Sequence, residues 1–295
     1  MFSGSIVAMV TPFDKQQQVN YEKIEELVLF HLENGTDALL PCGTTGESPT
    51  LSSSEKLKIF KTVVEAAAGK IPVIAGTGDY NTAHTVELTR DAKKIGADAA
   101  LIITPYYNKP TQEGLYRHFM TVAEKGELPV VIYNVPGRTS VNILPETIDR
   151  LADHPLIVAV KEASGDINQI SRLHHICGER LNILSGDDAL TLPILSVGGR
   201  GVVSVTANIV PQKVKALVES FLSGNAGKAL QLHHEMEALN KILFIETNPI
   251  PIKTAMNLMG FNMGGYRLPL CEMAADHREK LKFHLEKYDL IQAEA

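Results

Sequence analysis

Cysteine is scarce in this chain: Cys42, Cys177 and Cys271 are widely spaced among 295 residues, and no CxxC pair occurs. An odd, scattered set excludes a disulfide framework or a cysteine-built zinc site and points to a reducing compartment. Basic clusters are also missing. With 28 Lys+Arg against 34 Asp+Glu, the formal net charge is −6, which argues against a nucleic-acid partner. Any anionic substrate must then be captured by local cations and not by the overall field. No apolar run approaches membrane-spanning length. The N-terminus, MFSGSIVAMVTPF, has no basic region, no long apolar stretch and no small-residue cleavage site. A cytoplasmic protein with no membrane partner is expected. Core material is ample, since 44% of the residues are hydrophobic and 21% charged, the balance of a soluble globular protein.

Short β-branched runs alternate with amphipathic segments. The pattern predicts strands at Ser5–Val10, Asp37–Pro41, Pro72–Gly76, Ala99–Thr104, Pro129–Tyr133, Leu156–Lys161, Asn182–Ser185 and Gly201–Val205. Between them it predicts helices at Tyr21–Glu33, Ser53–Ala68, Thr82–Lys94, Gln112–Lys125, Pro145–Ala152, Ile167–Cys177 and Pro211–Leu222. Ser52 and Ser53 before Glu55 read as a helix start, and Gly69 and Gly96 stand where helices should stop. Eight such units match a (β/α)8 TIM barrel of about 250 residues. A doubly wound open sheet is the alternative, but its GxGxxG signature is absent; Gly76-Thr77-Gly78 lacks the third glycine. We expect the barrel over 1–224 and a C-terminal helical extension over 225–295, docked tightly because no linker separates them. GNAGK at Gly224–Lys228 lacks the Walker spacing and reads as a helix-stop turn.

Barrel chemistry sits where strands end. Those positions are rich in hydroxyls and glycines, with one lysine and one arginine and no histidine. Lys161 follows five apolar residues, Leu156–Val160. An ordinary lysine amine titrates near ~10.4 and a working nucleophile needs about 7–8, so the site must supply ~4 kcal/mol, and a dry barrel mouth can do so by desolvation. The competing reading is a snorkelling lysine paired with Glu162. Tyr133 ends the preceding strand, and strands about 4.8 Å apart would let phenol and amine exchange a proton; alternatively it is a half-buried aromatic. Gly43-Thr44-Thr45-Gly46 offers two hydroxyls and a turn whose N–H groups can converge on an anion, or else a plain capping turn. Arg138 could grip a carboxylate bidentately or lie on the surface. Asp187 and Asp188 would repel phosphate from the strand-seven loop. No HExxH, facial His/carboxylate set or EF-hand loop appears, so neither metal nor cofactor is expected. Together these residues point to covalent catalysis on a keto acid through an imine.

At these residues the chain resembles the dihydrodipicolinate synthase members of the pyruvate-dependent class I aldolase superfamily. AMVTPF, GTTGES, TPYYNKP, YNVPGRT, VKEASGD, LSGDD, VSVTAN and NPIPIK match in order and spacing. The resemblance implies a lyase that condenses pyruvate with L-aspartate-4-semialdehyde in diaminopimelate and lysine biosynthesis. It assigns the imine to Lys161 and proton transfer to Tyr133, linked through Thr44 to Tyr107, which reaches in from a partner subunit. Thr45, Gly186 and Val203 fall to the pyruvate pocket and Arg138 to the aldehyde's carboxylate. It further implies a homotetramer built as a dimer of dimers. A sialic acid lyase or sugar keto-acid aldolase of the same superfamily is the nearest alternative, though such enzymes typically lack the arginine. A non-catalytic keto-acid sensor is a remoter one. At positions matching the lysine-inhibition pocket of the family this chain has Ser53, Lys56, Tyr80 and His84, so weak or absent feedback by lysine is expected.

Overall fold

In the computed structural model, which describes residues 2–292, the strands are β1 Gly4–Ala8, β2 Ala38–Leu40, β3 Ile74–Gly76, β4 Ala99–Ile103, β5 Val130–Asn134, β6 Ile157–Glu162, β7 Asn182–Ser185 and β8 Gly201–Ser204. Between and after them run α1 Tyr21–Glu33, α2 Ser53–Ala67, α3 Thr82–Ile95, α4 Gln112–Gly126, α5 Pro136–Thr139, α6 Pro145–Leu151, α7 Ile167–Cys177, α8 Thr191–Ser196 and α9 Pro211–Leu222. All strand pairs are parallel, in the order β2-β1-β8-β7-β6-β5-β4-β3. The ends of that order meet. Leu39 bridges Val73 in parallel, Leu39 N–H donates to Pro72 O and Gly76 N–H to Pro41 O, each at 3.0 Å. This is the TIM barrel that the alternation of elements predicts, and the open sheet is set aside.

Most boundaries fall within two residues of the expected ones. The short helices α5 and α8 were not anticipated, because four and six residues carry too little periodicity to read. Ser52 caps α2 in a reciprocal capping box with Glu55, and Gly96 ends α3 at φ 102°. The expected stop at Gly69 comes one residue earlier: Ala68 itself takes the left-handed conformation, at φ 49°.

Strand alternation divides the core in two. Ile6, Ala8, Leu40, Ile74, Leu101, Val131, Leu184 and Val203 fill the barrel interior. Their neighbours, such as Val7, Leu39, Ile102, Ile132 and Val160, pack against the helices. Small or branched residues inside and β-branched ones outside are what a closed parallel sheet requires.

Past α9 the chain turns at Gly224 (φ 89°) and Asn225, whose side chain accepts from Lys228 N–H and starts α10, Ala226–Ile242. Two more helices follow, α11 Ile250–Leu258 and α12 Ala275–Lys287. Their residues reach back to the barrel. Asn240 Oδ1 accepts from Thr206 Oγ1 at 2.8 Å. Lys253 Nζ lies 2.8 Å from Glu47 Oε1, both side chains fully buried, with the Phe13 ring 4.1 Å from the ammonium. Burial holds the Lys253 ammonium down at about 8 against the pull of Glu47. Arg267 donates to Gln17 O, Thr50 O and Glu55.

Removing one member of a buried ion pair strands the other charge. We expect Lys253→Met to lower the unfolding free energy by about 3–5 kcal/mol in urea denaturation, and Glu47→Gln on top of it to restore part of that loss. A Lys253→Met chain as stable as the parent would show that the pair contributes nothing. The Arg267 hydrogen bond lowers the Glu55 carboxyl from 4.5 to about 2. A depressed carboxylate stabilises the fold above its unfolded value, and that contribution is lost as pH falls from about 4.5 through about 2. Arg267→Gln should therefore flatten the fall in stability across this window, read as thermal midpoint against pH; a slope equal to the parent's would contradict it.

Candidate active site

β5 and β6 pair in register so that Tyr133 stands opposite Lys161. Both are nearly buried, 5% and 6% exposed, and Lys161 Nζ lies 4.1 Å from the centre of the Tyr133 ring. The amine therefore meets the face of the tyrosine, an electron-rich surface that holds a cation without a counter-ion. Glu162, the next residue, points to the opposite side of the strand. There it accepts from Asn134 Nδ2 at 3.1 and 3.2 Å and from Ser164 N–H at 2.8 Å, and burial pushes its carboxyl above the ordinary range. The period of two thus removes Glu162 from Lys161, and the solvated Lys–Glu pair is not formed.

Gly186 follows β7 beside this pair. A Cβ there would stand 3.1 Å from Lys161 Cγ and 2.8 Å from Ala163 Cβ, so only glycine leaves room for the lysine stem. Val203, 1% exposed on β8, closes the interior from the far side. Asp188 does not face the site as a repelling charge. It is buried, pushed up by desolvation, and accepts from Ser204 Oγ, Val205 N–H and Thr206 N–H, which anchors the loop after β8.

The Gly43–Ser48 turn follows β2. Gly46 and Ser48 N–H donate to Gly43 O and Glu47 N–H to Thr44 O, so three of its N–H groups serve the turn itself. The convergence on an anion expected of it is narrower than the glycines suggest: among the described residues, the Gly43, Thr44 and Thr45 N–H groups in this turn meet no acceptor, and the other three do. Thr45 is buried, and its Oγ1 accepts from Asn248 Nδ2 at 3.0 Å, which leaves its own hydrogen free to donate. Arg138, on α5, donates from Nη2 to Asn248 O at 3.1 Å. Asn248 thus touches both groups expected to hold carboxylates. It was missed in the sequence because nothing near NPIPIK marks an asparagine 110 residues from Arg138 as its neighbour.

Thr44, Tyr133 and Arg138 line one cavity of about 400 Å³, which continues past Ser53, Lys56, His84 and Tyr106. Tyr107 is not brought into it. That tyrosine is 91% exposed, at φ 69° in the loop after β4, and no hydrogen bond among the described residues joins it to Thr44 or Tyr133. No cluster of three or more His, Cys, Asp or Glu side chains suited to a metal occurs among the described residues.

A model of the dihydrodipicolinate synthetase family matches residues 1–288. A protein of Geobacter metallireducens named 4-hydroxy-tetrahydrodipicolinate synthase is 51% identical over 291 residues, 99% of this chain and 100% of the relative. One of that name from Thermoanaerobacter pseudethanolicus is 53% identical over 292 residues, covering 99% and 98%. The crystal structure of dihydrodipicolinate synthase from Aquifex aeolicus superposes with a TM-score of 0.97 at 48% identity, covering 99% of this chain and all of that one. Whole-length identity of this order, on a barrel with a lysine and a tyrosine paired at its mouth, makes the chain a member of the dihydrodipicolinate synthetase family.

Proposed function

We propose that the chain is a 4-hydroxy-tetrahydrodipicolinate synthase, a lyase of the class I aldolase type that condenses pyruvate with L-aspartate-4-semialdehyde and so serves diaminopimelate and lysine biosynthesis. The observation that carries the reading is the Tyr133–Lys161 register pair, enclosed at the mouth of a barrel of this family. Lys161 Nζ adds to the keto carbon of pyruvate and the oxygen leaves as water, forming an imine. Loss of a methyl proton gives an enamine, whose carbon attacks the aldehyde. The amino group of the semialdehyde then displaces Lys161 and closes the ring. Tyr133 moves the protons, with Thr44 beside it in the cavity wall.

The Thr45 hydroxyl, free to donate, and the unpaired Thr44 and Thr45 N–H groups of the turn suit the pyruvate carboxylate. Gly186 and Val203 shape the floor around the imine. Arg138 suits the carboxylate of the semialdehyde, and its place in the cavity wall favours this substrate over neutral polyols. The almost fully exposed Tyr107 supports a role in a second copy's site, hence a homotetramer made of two catalytic dimers. Residues 225–295 are taken as a helical extension of the barrel 1–224, residues 1 and 293–295 lying outside the described residues, and contacts of the extension orient Thr45 and Arg138. No helix among the described residues is long and apolar enough to cross a membrane. The three free cysteines suit a cytoplasmic setting.

Borohydride added with pyruvate should label the chain irreversibly at Lys161, found by peptide mass mapping, and Lys161→Ala should abolish labelling. No label on the parent chain would end the imine mechanism. Tyr133→Phe should keep the label while turnover drops by about 10²–10⁴. Arg138→Ala should raise the KM for semialdehyde by tenfold or more, the loss of about 1.5–3 kcal/mol of charged hydrogen bonding, and leave the KM for pyruvate near the parent's; an unchanged semialdehyde KM would refute its role. Lys161→Ala and Tyr107→Phe chains, each impaired alone, should regain activity when unfolded and refolded together. A mixture no more active than its parents would mean that each site uses its own Tyr107.

A further inference from the structure

β5 and β6 are buried on both faces. Val130, Ile132, Ile157 and Val160 pack outward against the helices, while Val131, Tyr133 and Ala159 face the barrel interior. Strands that are apolar on both sides can slip by one residue at little hydrophobic cost, and such a slip exchanges the two faces. This pair already contains one shift. Val130 stands opposite Ile157 but Val131 stands opposite Ala159, so Val158 is bulged out of the pairing. The apolar residues alone therefore leave the register at Tyr133 and Lys161 open.

One position further along, Asn134 stands opposite Glu162, and both are fully buried. Asn134 Nδ2 donates to the two Glu162 carboxylate oxygens at 3.2 and 3.1 Å and to Asn142 Oδ1 at 2.8 Å. Asn134 Oδ1 accepts from Ile143 N–H at 3.2 Å, and Glu162 accepts a further bond from Ser164 N–H at 2.8 Å. Backbone bonds extend the tie: Ala163 N–H donates to Asn134 O at 2.8 Å and Gly186 N–H to Glu162 O at 2.7 Å. Asn142 is held in turn by Gln169 of α7, whose Oε1 accepts from its Nδ2 at 2.8 Å. A slip of one residue would leave a buried carboxyl and a buried amide without these partners. That loss is heavy where the exchange of one apolar side chain for another is light.

We propose that Asn134 and Glu162 are positioning residues: their hydrogen bonds on the outer face lock β5 to β6 in the one register that sets Lys161 Nζ on the Tyr133 ring on the inner face. Neither has exposed surface, so both act through the neighbours they hold. The expected effect on turnover rests on the imine reading given above; the geometric effect does not.

The test uses four full-length chains: Glu162→Ala, Asn134→Asp, Glu162→Gln, and Asn134→Asp combined with Glu162→Gln. Glu162→Ala should lose about tenfold or more in kcat, since a misplacement of about 1 Å can cost ~10²-fold, while its KM for semialdehyde stays near the parent's. Asn134→Asp sets two carboxyls against each other, and Glu162→Gln sets two amides. Each alone should lose activity, and the combined chain, with amide and carboxyl exchanged, should regain part of it. A Glu162→Ala chain with the parent's kcat per folded molecule would overturn the proposal, as would a combined chain no more active than either single one. Borohydride labelling of the parent separates the two readings. If the parent takes no label, the imine reading fails, and the crystal structure of Glu162→Ala decides the clamp. Lys161 Nζ displaced from its place 4.1 Å from the Tyr133 ring centre supports it, and an unmoved amine overturns it. Should Glu162→Ala fail to fold, Glu162→Gln, which keeps the side-chain volume, is measured and crystallised in its place.

Discussion

The buried pair of Glu47 and Lys253 joins the two ends of the chain around the active site. Glu47 closes the turn that carries Thr44 and Thr45, and it does so at φ 55°, a left-handed conformation that a non-glycine residue holds only against resistance. Lys253 comes from α11, 206 positions later, and both side chains are fully buried. Two such charges gain little net stability from each other, because desolvation offsets much of their attraction. What the pair supplies is geometry. It presses the turn against Phe13 and Tyr266 and brings Asn248, just ahead of α11, to the Thr45 hydroxyl and the Arg138 guanidinium. The C-terminal helices thereby orient the two groups proposed to hold the substrates' carboxylates, which lie far away in sequence.

The Tyr133–Lys161 pair is produced by a different constraint, the alternation of a parallel strand. Registering β5 on β6 puts Tyr133 and Lys161 side by side on the inner face and sends Asn134 and Glu162 together to the outer one. A carboxylate adjacent in sequence to the amine is thus kept from neutralising it, and Asn134 and Ser164 satisfy that carboxylate on the other side of the sheet. Gly186 completes the arrangement by leaving the lysine stem the space a Cβ would take. These effects follow from the two-residue period and from the absence of one methyl group.

The overall charge is negative, so the cavity's attraction for anions rests on a few local groups. Arg138 provides one cation, the free N–H groups of Gly43, Thr44 and Thr45 provide partial charge, and Lys56, whose ammonium is lowered by burial, lies in the same cavity. Asp188, at the mouth of β7, would counter them if it faced inward. It is instead consumed in holding the loop after β8.

Much of this was legible in the sequence. β-branched runs at regular spacing suffice to define eight strand–helix units, and an apolar run ending in lysine marks Lys161 because a barrel opens its chemistry at strand ends. The same rule fails at Ile250-Pro251-Ile252-Lys253, where a lysine following an apolar run lies on a helix and is buried against Glu47. Local pattern cannot distinguish the two, since the difference is set by what packs above each lysine. Asn248 and the self-satisfied N–H groups of the Gly43–Ser48 turn were likewise invisible. Sequence by itself determined the architecture, the strand ends that carry Tyr133 and Lys161, and the family, because these depend on periodicity and on motifs within a few residues of one another. Tertiary structure alone decided which side chains meet, which charges are neutralised and which remain free. Those outcomes depend on contacts between segments one to two hundred residues apart, and no local property of the chain encodes them.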